Sequence, residues 1–233
     1  MKKRNLSEGS KSYHNEAHIY ERFSQLEDTP DKVLDFLKLV VKDKYILDLG
    51  CGTGKYLIPL APLANAYWGL DISEDQISIA KLKSRANSLD NVRFLCSSAE
   101  SINLPDESMD AVISTWVLGT ILDEKRREKA IGEAERVLKR NGKIFLVEND
   151  IGGEFEVIRG RYPDIRRTKS YNDWLESKGF RPIKRFETYF EFDSLKEAKK
   201  IFCSIWGKLA ADKITDRKIN QRIVVYCKEK IYK

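Results

Sequence analysis

Tyr45-Ile46-Leu47-Asp48-Leu49-Gly50-Cys51-Gly52-Thr53-Gly54-Lys55 is the passage that decides the reading of this chain. Four apolar or aromatic residues around one acid predict a buried strand, and the glycines that follow predict a tight turn into a helix. Glycine lets the backbone approach a ligand closely and adopt left-handed conformations. Three kinds of ligand compete for such a turn. A triphosphate loop needs GxxxxGK[ST]; here Gly50 to Gly54-Lys55 is one residue short, and Tyr56 stands where the magnesium-binding hydroxyl belongs. A dinucleotide turn needs GxGxxG; Gly50 and Gly52 fit, but Lys55 occupies the third position, where helix and strand pack too closely for a long side chain. Asp48, two residues before the first glycine, repels a pyrophosphate and attracts a cation. The turn therefore favours a ligand that carries positive charge.

Outward from this turn, strand and helix patterns alternate. Ala66–Asp71, Val92–Cys96, Ala111–Ser114, Ile144–Val147, Phe180–Phe192 and Ile223–Cys227 read as further strands. Between them lie helical stretches: Lys55–Leu63, one opened by the capping box Ser73-Glu74-Asp75-Gln76 and running to Arg85, Asp123–Leu138, Ser170–Lys178 and Leu195–Ala211. Thr29-Pro30-Asp31 is the expected start of a helix through Val41, with Thr29 as cap and Pro30 in its first turn. A further helical pattern covers Tyr13–Gln25. Strands separated by helices predict an α/β fold: a doubly wound, mostly parallel seven-stranded sheet with an N-terminal helical extension. The expected organisation is an extension over residues 1–28 and one domain over 29–233. Its cofactor half is residues 30–150, and acceptor-side additions occupy 151–218.

Composition agrees with a packed domain. The 233 residues are 42% hydrophobic and 33% charged, with a net charge of +6, which excludes disordered and collagen-like classes. Acids are interleaved with the bases, as on ordinary solvated faces rather than in a nucleic-acid groove. Cys51, Cys96, Cys203 and Cys227 are scattered, with no CxxC pair, so neither a disulfide framework nor a zinc site is expected. No apolar run approaches the roughly 20 residues of a membrane span, and the basic start Met1-Lys2-Lys3-Arg4 has no apolar stretch behind it. A cytoplasmic protein without a membrane partner is the expectation.

The segment Asp48-Leu49-Gly50-Cys51-Gly52-Thr53-Gly54 resembles the D/E-x-G-x-G-x-G signature of the class I S-adenosylmethionine-dependent methyltransferases, of type 11/25-like members in particular. The resemblance continues through Trp68–Ser73, through Val92–Pro105 (the motif often written D-A-E-x-L-P), through Met109–Ser114 and through Val137–Lys143, covering roughly residues 30–150. It implies S-adenosyl-L-methionine as cofactor. It also implies a binding set of Asp48, Gly50, Cys51, Gly52, Gly54, Asp71, Ile72, Ser98, Ala99, Glu100, Ser114 and Trp116, with Asp71 on the ribose hydroxyls. Two positions depart from the family pattern. Ser98 replaces the aspartate that accepts from the adenine amino group, and Gly119 stands where many relatives have histidine after Trp116-Val117-Leu118.

Methyl transfer asks the protein to orient the acceptor, exclude water and, where needed, remove a proton. Glu148 and Asp150, at the end of the fifth strand, and His18 and Tyr20 in the N-terminal helix are the weak candidates for such a group. His14 and His18 lie four apart but do not form HExxH, and no metal is expected. The [NDS]-P-P-[YFW] motif of amino-methylating enzymes is missing at Ser114–Val117, and no cysteine lies where RNA cytosine methylation needs one. A small-molecule acceptor is the leading reading, with an RNA or protein substrate, or cofactor binding without turnover, as the alternatives. Between the fifth strand and the next helix, Gly152-Gly153 precedes Arg159, Arg161, Arg166, Arg167 and Lys169. A hinged basic segment there suggests an anionic acceptor.

Overall fold

The structure is a computed structural model that describes residues 17–160 and 166–231. Tyr13–Glu16, including His14, and Arg161 lie outside the described residues. The elements, in chain order, are α1 (Ala17–Leu26), α2 (Lys32–Val41), β1 (Tyr45–Leu49), α3 (Leu57–Leu60), β2 (Ala66–Asp71), α4 (Glu74–Ala86), β3 (Val92–Cys96), β4 (Met109–Thr115), α5 (Glu124–Val137), β5 (Leu138–Asn149), α6 (Glu154–Ile158), α7 (Arg166–Ser177), β6 (Arg181–Glu191), α8 (Leu195–Trp206), α9 (Lys208–Ala211) and β7 (Lys218–Glu229). The seven strands form one sheet in the order β3-β2-β1-β4-β5-β7-β6. Pairs β1–β2, β2–β3, β1–β4 and β4–β5 are parallel. β7 runs against β5: Asn141 and Lys230, then Asp150 and Arg222, are joined in opposite chain directions. The expected doubly wound α/β sheet is present, mostly parallel, with β7 reversed.

Residue contacts divide the chain into two compact units, one of residues 34–147 with 227–233 and one of residues up to 33 with 148–226. In the first unit, β1 and β4 are almost wholly buried, as central parallel strands covered on both faces must be. α4 starts where the sequence places it, with the Ser73 hydroxyl accepting from the Gln76 amide at 3.4 Å. Asp123 caps α5 by accepting from the Arg126 amide at 3.0 Å. The expected helix Lys55–Leu63 is shorter: α3 has four residues and passes into a 3-10 turn over Ala61–Leu63. Pro59 and Pro62 remove the amides that a regular helix would use there.

The second unit is built on aromatic packing. Phe23 of α1 stacks on Phe190 of β6 at 4.7 Å between ring centroids, and Phe155, Phe202 and Trp206 close around the pair. Arg22 of α1 is ion-paired with Asp193 and Glu197 at 2.7 and 2.8 Å. The start of α2 differs from the expected cap. Asp28, not Thr29, accepts from the Val33 amide through both carboxylate oxygens at 3.0 Å, while Thr29 pairs with Tyr189 as an isolated bridge. Pro30 therefore precedes the helix instead of opening it. The single helix expected over Leu195–Ala211 is broken at Gly207, whose φ of +85° ends α8.

Among the described residues, no helix is long and apolar enough to cross a membrane, and no group of three or more His, Cys, Asp or Glu could hold a metal ion.

Candidate cofactor site

The glycine turn after β1 takes the conformation its composition predicts. Gly50, Gly52 and Gly54 have φ of +81°, +54° and +84°, in the left-handed region that other residues enter at a cost. Gly50 is further constrained because the Val117 side chain occupies the space a Cβ would need. The turn is laced to the end of β2. The amides of Gly50 and Cys51 donate to the Leu70 carbonyl at 2.7 and 2.9 Å, and the Gly52 amide donates to the Asp71 carboxylate at 3.0 Å. Asp71 also accepts from the Ser73 amide at 2.9 Å and is 3% exposed. One carboxylate thus braces the turn and the entry to α4. The Cys51 thiol faces inward: a Cβ on Gly69 would come within 2.9 Å of it, so Cys51 offers a ligand only its backbone. Ile72, 37% exposed, presents an apolar side chain directly after Asp71.

Asp48 lies beneath this turn, 2% exposed, and accepts a hydrogen bond from the Tyr67 phenol at 3.2 Å. Burial pushes its carboxyl up to about 7; the Tyr67 bond opposes this, and the negative charge of Asp71 adds to it. Because the folded protein holds a proton that the unfolded chain releases from 3.8 upward, this group's contribution to stability is complete below that value. It is lost as pH rises through about 7. Asp48→Asn is expected to flatten that fall, which urea melts on either side of the window will measure; equal pH slopes in parent and variant would contradict it.

After β3, the turn Ser98-Ala99-Glu100 is tied in place from both ends. The Ser97 amide donates to the Asp71 carbonyl and the Ser101 amide to the Ser98 carbonyl, each at 3.0 Å. Arg126 of α5 donates to Glu100 Oε1 through Nε at 2.9 Å and through its terminal nitrogen at 2.6 Å. That guanidinium holds the Glu100 carboxyl below the usual carboxylate range. One helical face further along α5, Arg136 donates to the Ile102 and Leu104 carbonyls and to Asp106, while Glu133 accepts from the Ile102 amide. Glu100, Ile102, Leu104 and Asp106, every second residue of the loop, are therefore held by one helix.

β4 supplies the third edge. The Ser114 hydroxyl is fully buried and donates to the Leu49 carbonyl at 3.1 Å, so it fastens β4 to β1. Trp116 has a φ of +55°, an unusual conformation for a bulky residue, and its amide N–H donates a hydrogen bond to the Val147 carbonyl at 2.8 Å. Its ring stacks on Tyr56, with centroids 6.2 Å apart, and the Lys55 ammonium lies over both rings.

The unit of residues 34–147 thus brings together Asp48, the glycine turn, Asp71, Ile72 and the Ser98–Glu100 turn. Glu148, Asp150, His18 and Tyr20 belong to the other unit. There, Glu148 is buried and accepts from the Tyr171 phenol at 2.8 Å, and Asp150 accepts from Arg185 at 3.0 Å. His18 is exposed, and Tyr20 packs on Phe23. Of the basic segment, Arg159 turns inward, stacked on Phe155 and paired with Glu156, while Arg166, Arg167 and Lys169 are exposed and Lys169 is paired with Asp173. Gly152 and Gly153 are packed against Arg222 and Asn220. Sequence reading missed Tyr67, Val117 and Arg126, each of which reaches the site from another element.

Residues 47–146 match the family model described as a methyltransferase domain. This stretch is similar to the class I S-adenosylmethionine-dependent methyltransferases. The cofactor of this family is S-adenosylmethionine, as the motif resemblance implied. Among curated proteins, the methyltransferase domain and its flanks are similar to the uncharacterized methyltransferase YcgJ of Bacillus subtilis, 27% identical over 161 residues, 64% of this chain and 62% of that protein. A tRNA (carboxymethyluridine(34)-5-O)-methyltransferase of Arabidopsis thaliana is 38% identical over 117 residues, 49% of this chain and 26% of that protein. A demethylmenaquinone methyltransferase of Thermus thermophilus is 36% identical over 115 residues, 48% of this chain and 50% of that protein. The chain therefore spans between about a quarter and three fifths of these relatives' lengths. The solved structure of YcgJ superposes with a TM-score of 0.61 over 86% of this chain and 98% of that one; at 18% identity this speaks for the fold alone.

Proposed function

We propose that the protein transfers a methyl group from S-adenosylmethionine to a small-molecule acceptor. The observation that carries the cofactor half of this reading is the pairing of a left-handed glycine turn with two buried carboxylates, Asp48 beneath it and Asp71 beside it. This donor set fits the group. A cationic ligand would favour the ionised form of the Asp48 carboxyl, and the Asp71 carboxylate has acceptor positions enough to brace two amides and still receive a diol. In this reading Gly50, Gly52 and Gly54 admit the ligand backbone-close, Cys51 contributes main chain only, and Asp71 takes the ribose. Ile72 covers one purine face, Ser98, Ala99 and Glu100 meet the purine edge, and Ser114 and Trp116 shape the wall. When bound, the cofactor supplies an electrophilic methyl on a sulfonium. The chain's part is to hold that group in one orientation and to keep water from it.

A small molecule is favoured as acceptor by the interleaved charge and by the likeness to a demethylmenaquinone methyltransferase. The relative that acts on tRNA makes RNA the first competitor. Calorimetry is expected to show binding of S-adenosylhomocysteine and no binding of NAD; the reverse result ends the cofactor reading. Cell extract incubated with the protein and methyl-labelled cofactor is then expected to yield label in the small-molecule fraction. Label that disappears after RNase or protease treatment would move the acceptor to RNA or protein, and cofactor binding without any labelled product would make this a binding protein.

A further inference from the structure

Ser98 stands in the loop between β3 and β4, where a serine, unlike a carboxylate, can either donate or accept a hydrogen bond. Its neighbours remove that freedom. Its Oγ lies 3.3 Å from Glu100 Oε1 and 3.3 Å from the Glu100 amide nitrogen. An ionised carboxylate only accepts and a backbone N–H only donates, so the Ser98 proton must point to Glu100 and one oxygen lone pair must receive the amide. Arg126 secures the first of these partners by keeping Glu100 charged and still, through two donors on Oε1. What Ser98 has left for any third group is a lone pair. The neighbouring Ala99 amide, meanwhile, has no acceptor among the described residues.

We infer that Glu100 and Arg126 set the polarity of the Ser98 hydroxyl, making it an obligate acceptor, so that the Ser98-Ala99 edge reads a ligand presenting a donor beside an acceptor, as adenine does with its amino group and ring nitrogen. Arg126 and Glu100 are positioning residues in this account, since they act through Ser98. It rests on the reading of this turn as the purine edge of the cofactor site.

The test compares S-adenosylhomocysteine with its 6-deamino analogue, in which hydrogen replaces the purine amino group while the ring nitrogen remains. The ratio of the two dissociation constants isolates the contact to the amino group. The parent protein is expected to prefer the amino form by about tenfold. Glu100→Gln and Arg126→Met are expected to lose most of that ratio, Arg126→Met while holding its affinity for the analogue. Ser98→Asp, which has no proton to misdirect, is expected to keep the ratio, and to keep it when combined with Arg126→Met. A merely structural role predicts otherwise. If Glu100→Gln and Arg126→Met weaken both ligands alike, with Ser98→Ala still lowering the ratio, the polarity inference is overturned and the purine-edge reading stands. If Ser98→Ala leaves the ratio untouched as well, the purine-edge reading falls with it. Because the ratio is taken within each variant, a partial loss of folded protein cancels.

Discussion

Gly50→Val is expected to lower the thermal midpoint by on the order of 10 °C and to abolish S-adenosylhomocysteine binding at concentrations that saturate the parent. Two independent penalties act at this residue. Its φ of +81° places any L side chain in the left-handed region, at roughly 1–2 kcal/mol and more for a β-branched one. The Val117 side chain already fills the space of the new Cβ, and overpacking adds roughly 1–3 kcal/mol. A double variant separates them: Gly50→Ala with Val117→Ala should recover the steric part and leave the conformational part. A Gly50→Val protein that melts with the parent and binds normally would mean the turn does not approach β4 as described.

Asp71→Ala is expected to damage stability and binding together. It leaves the half-buried Gly52 amide and the buried Ser73 amide without the carboxylate that accepts from both. Charge-assisted bonds of this kind are worth about 1.5–3 kcal/mol each, so a loss of about 3–5 kcal/mol is expected once the turn relaxes. Affinity for S-adenosylhomocysteine should fall by about 100-fold, from a lost ribose contact and a misplaced glycine turn together. Asp71→Asn retains one acceptor oxygen and should recover part of the stability before it recovers binding. Isothermal titration alongside denaturant melts would resolve the two losses; unchanged affinity in Asp71→Ala would refute the assignment of the end of β2.

Much of this site was legible because its parts are local. A strand, an acid two residues before a glycine and three alternating glycines are visible in one line of sequence, and Ser73 and Asp123 announce their helices by spacing alone. What stayed hidden depends on residues distant in the chain. Val117 explains why position 50 must be glycine, yet nothing in its surroundings marks it. Arg126 is one of several basic residues on α5, and only the fold shows that it faces Glu100. Ser114 looked like a ligand group, and its hydroxyl turned out to join two strands. The start of α2 was misplaced for a related reason: Asp28 reaches five residues forward to Val33, a span that capping rules based on nearest neighbours do not cover.

The amide bookkeeping of the glycine turn bears on which cofactors the fold refuses. Turns that grip phosphate do so with N–H groups that have no other employment. Here the Gly50 and Cys51 amides belong to Leu70, the Gly52 amide to Asp71, and the Gly54 amide to the Cys51 carbonyl. A phosphorylated ligand would find not only an acid at its back but a shortage of donors in front. Refusal of nucleotides is thus written into the main chain, and neutralising Asp48 alone would not convert this turn into a phosphate cradle. The same closed set of bonds implies that these amides resist hydrogen exchange before any ligand arrives, so the turn meets its cofactor already shaped and little ordering entropy is left to be lost on binding.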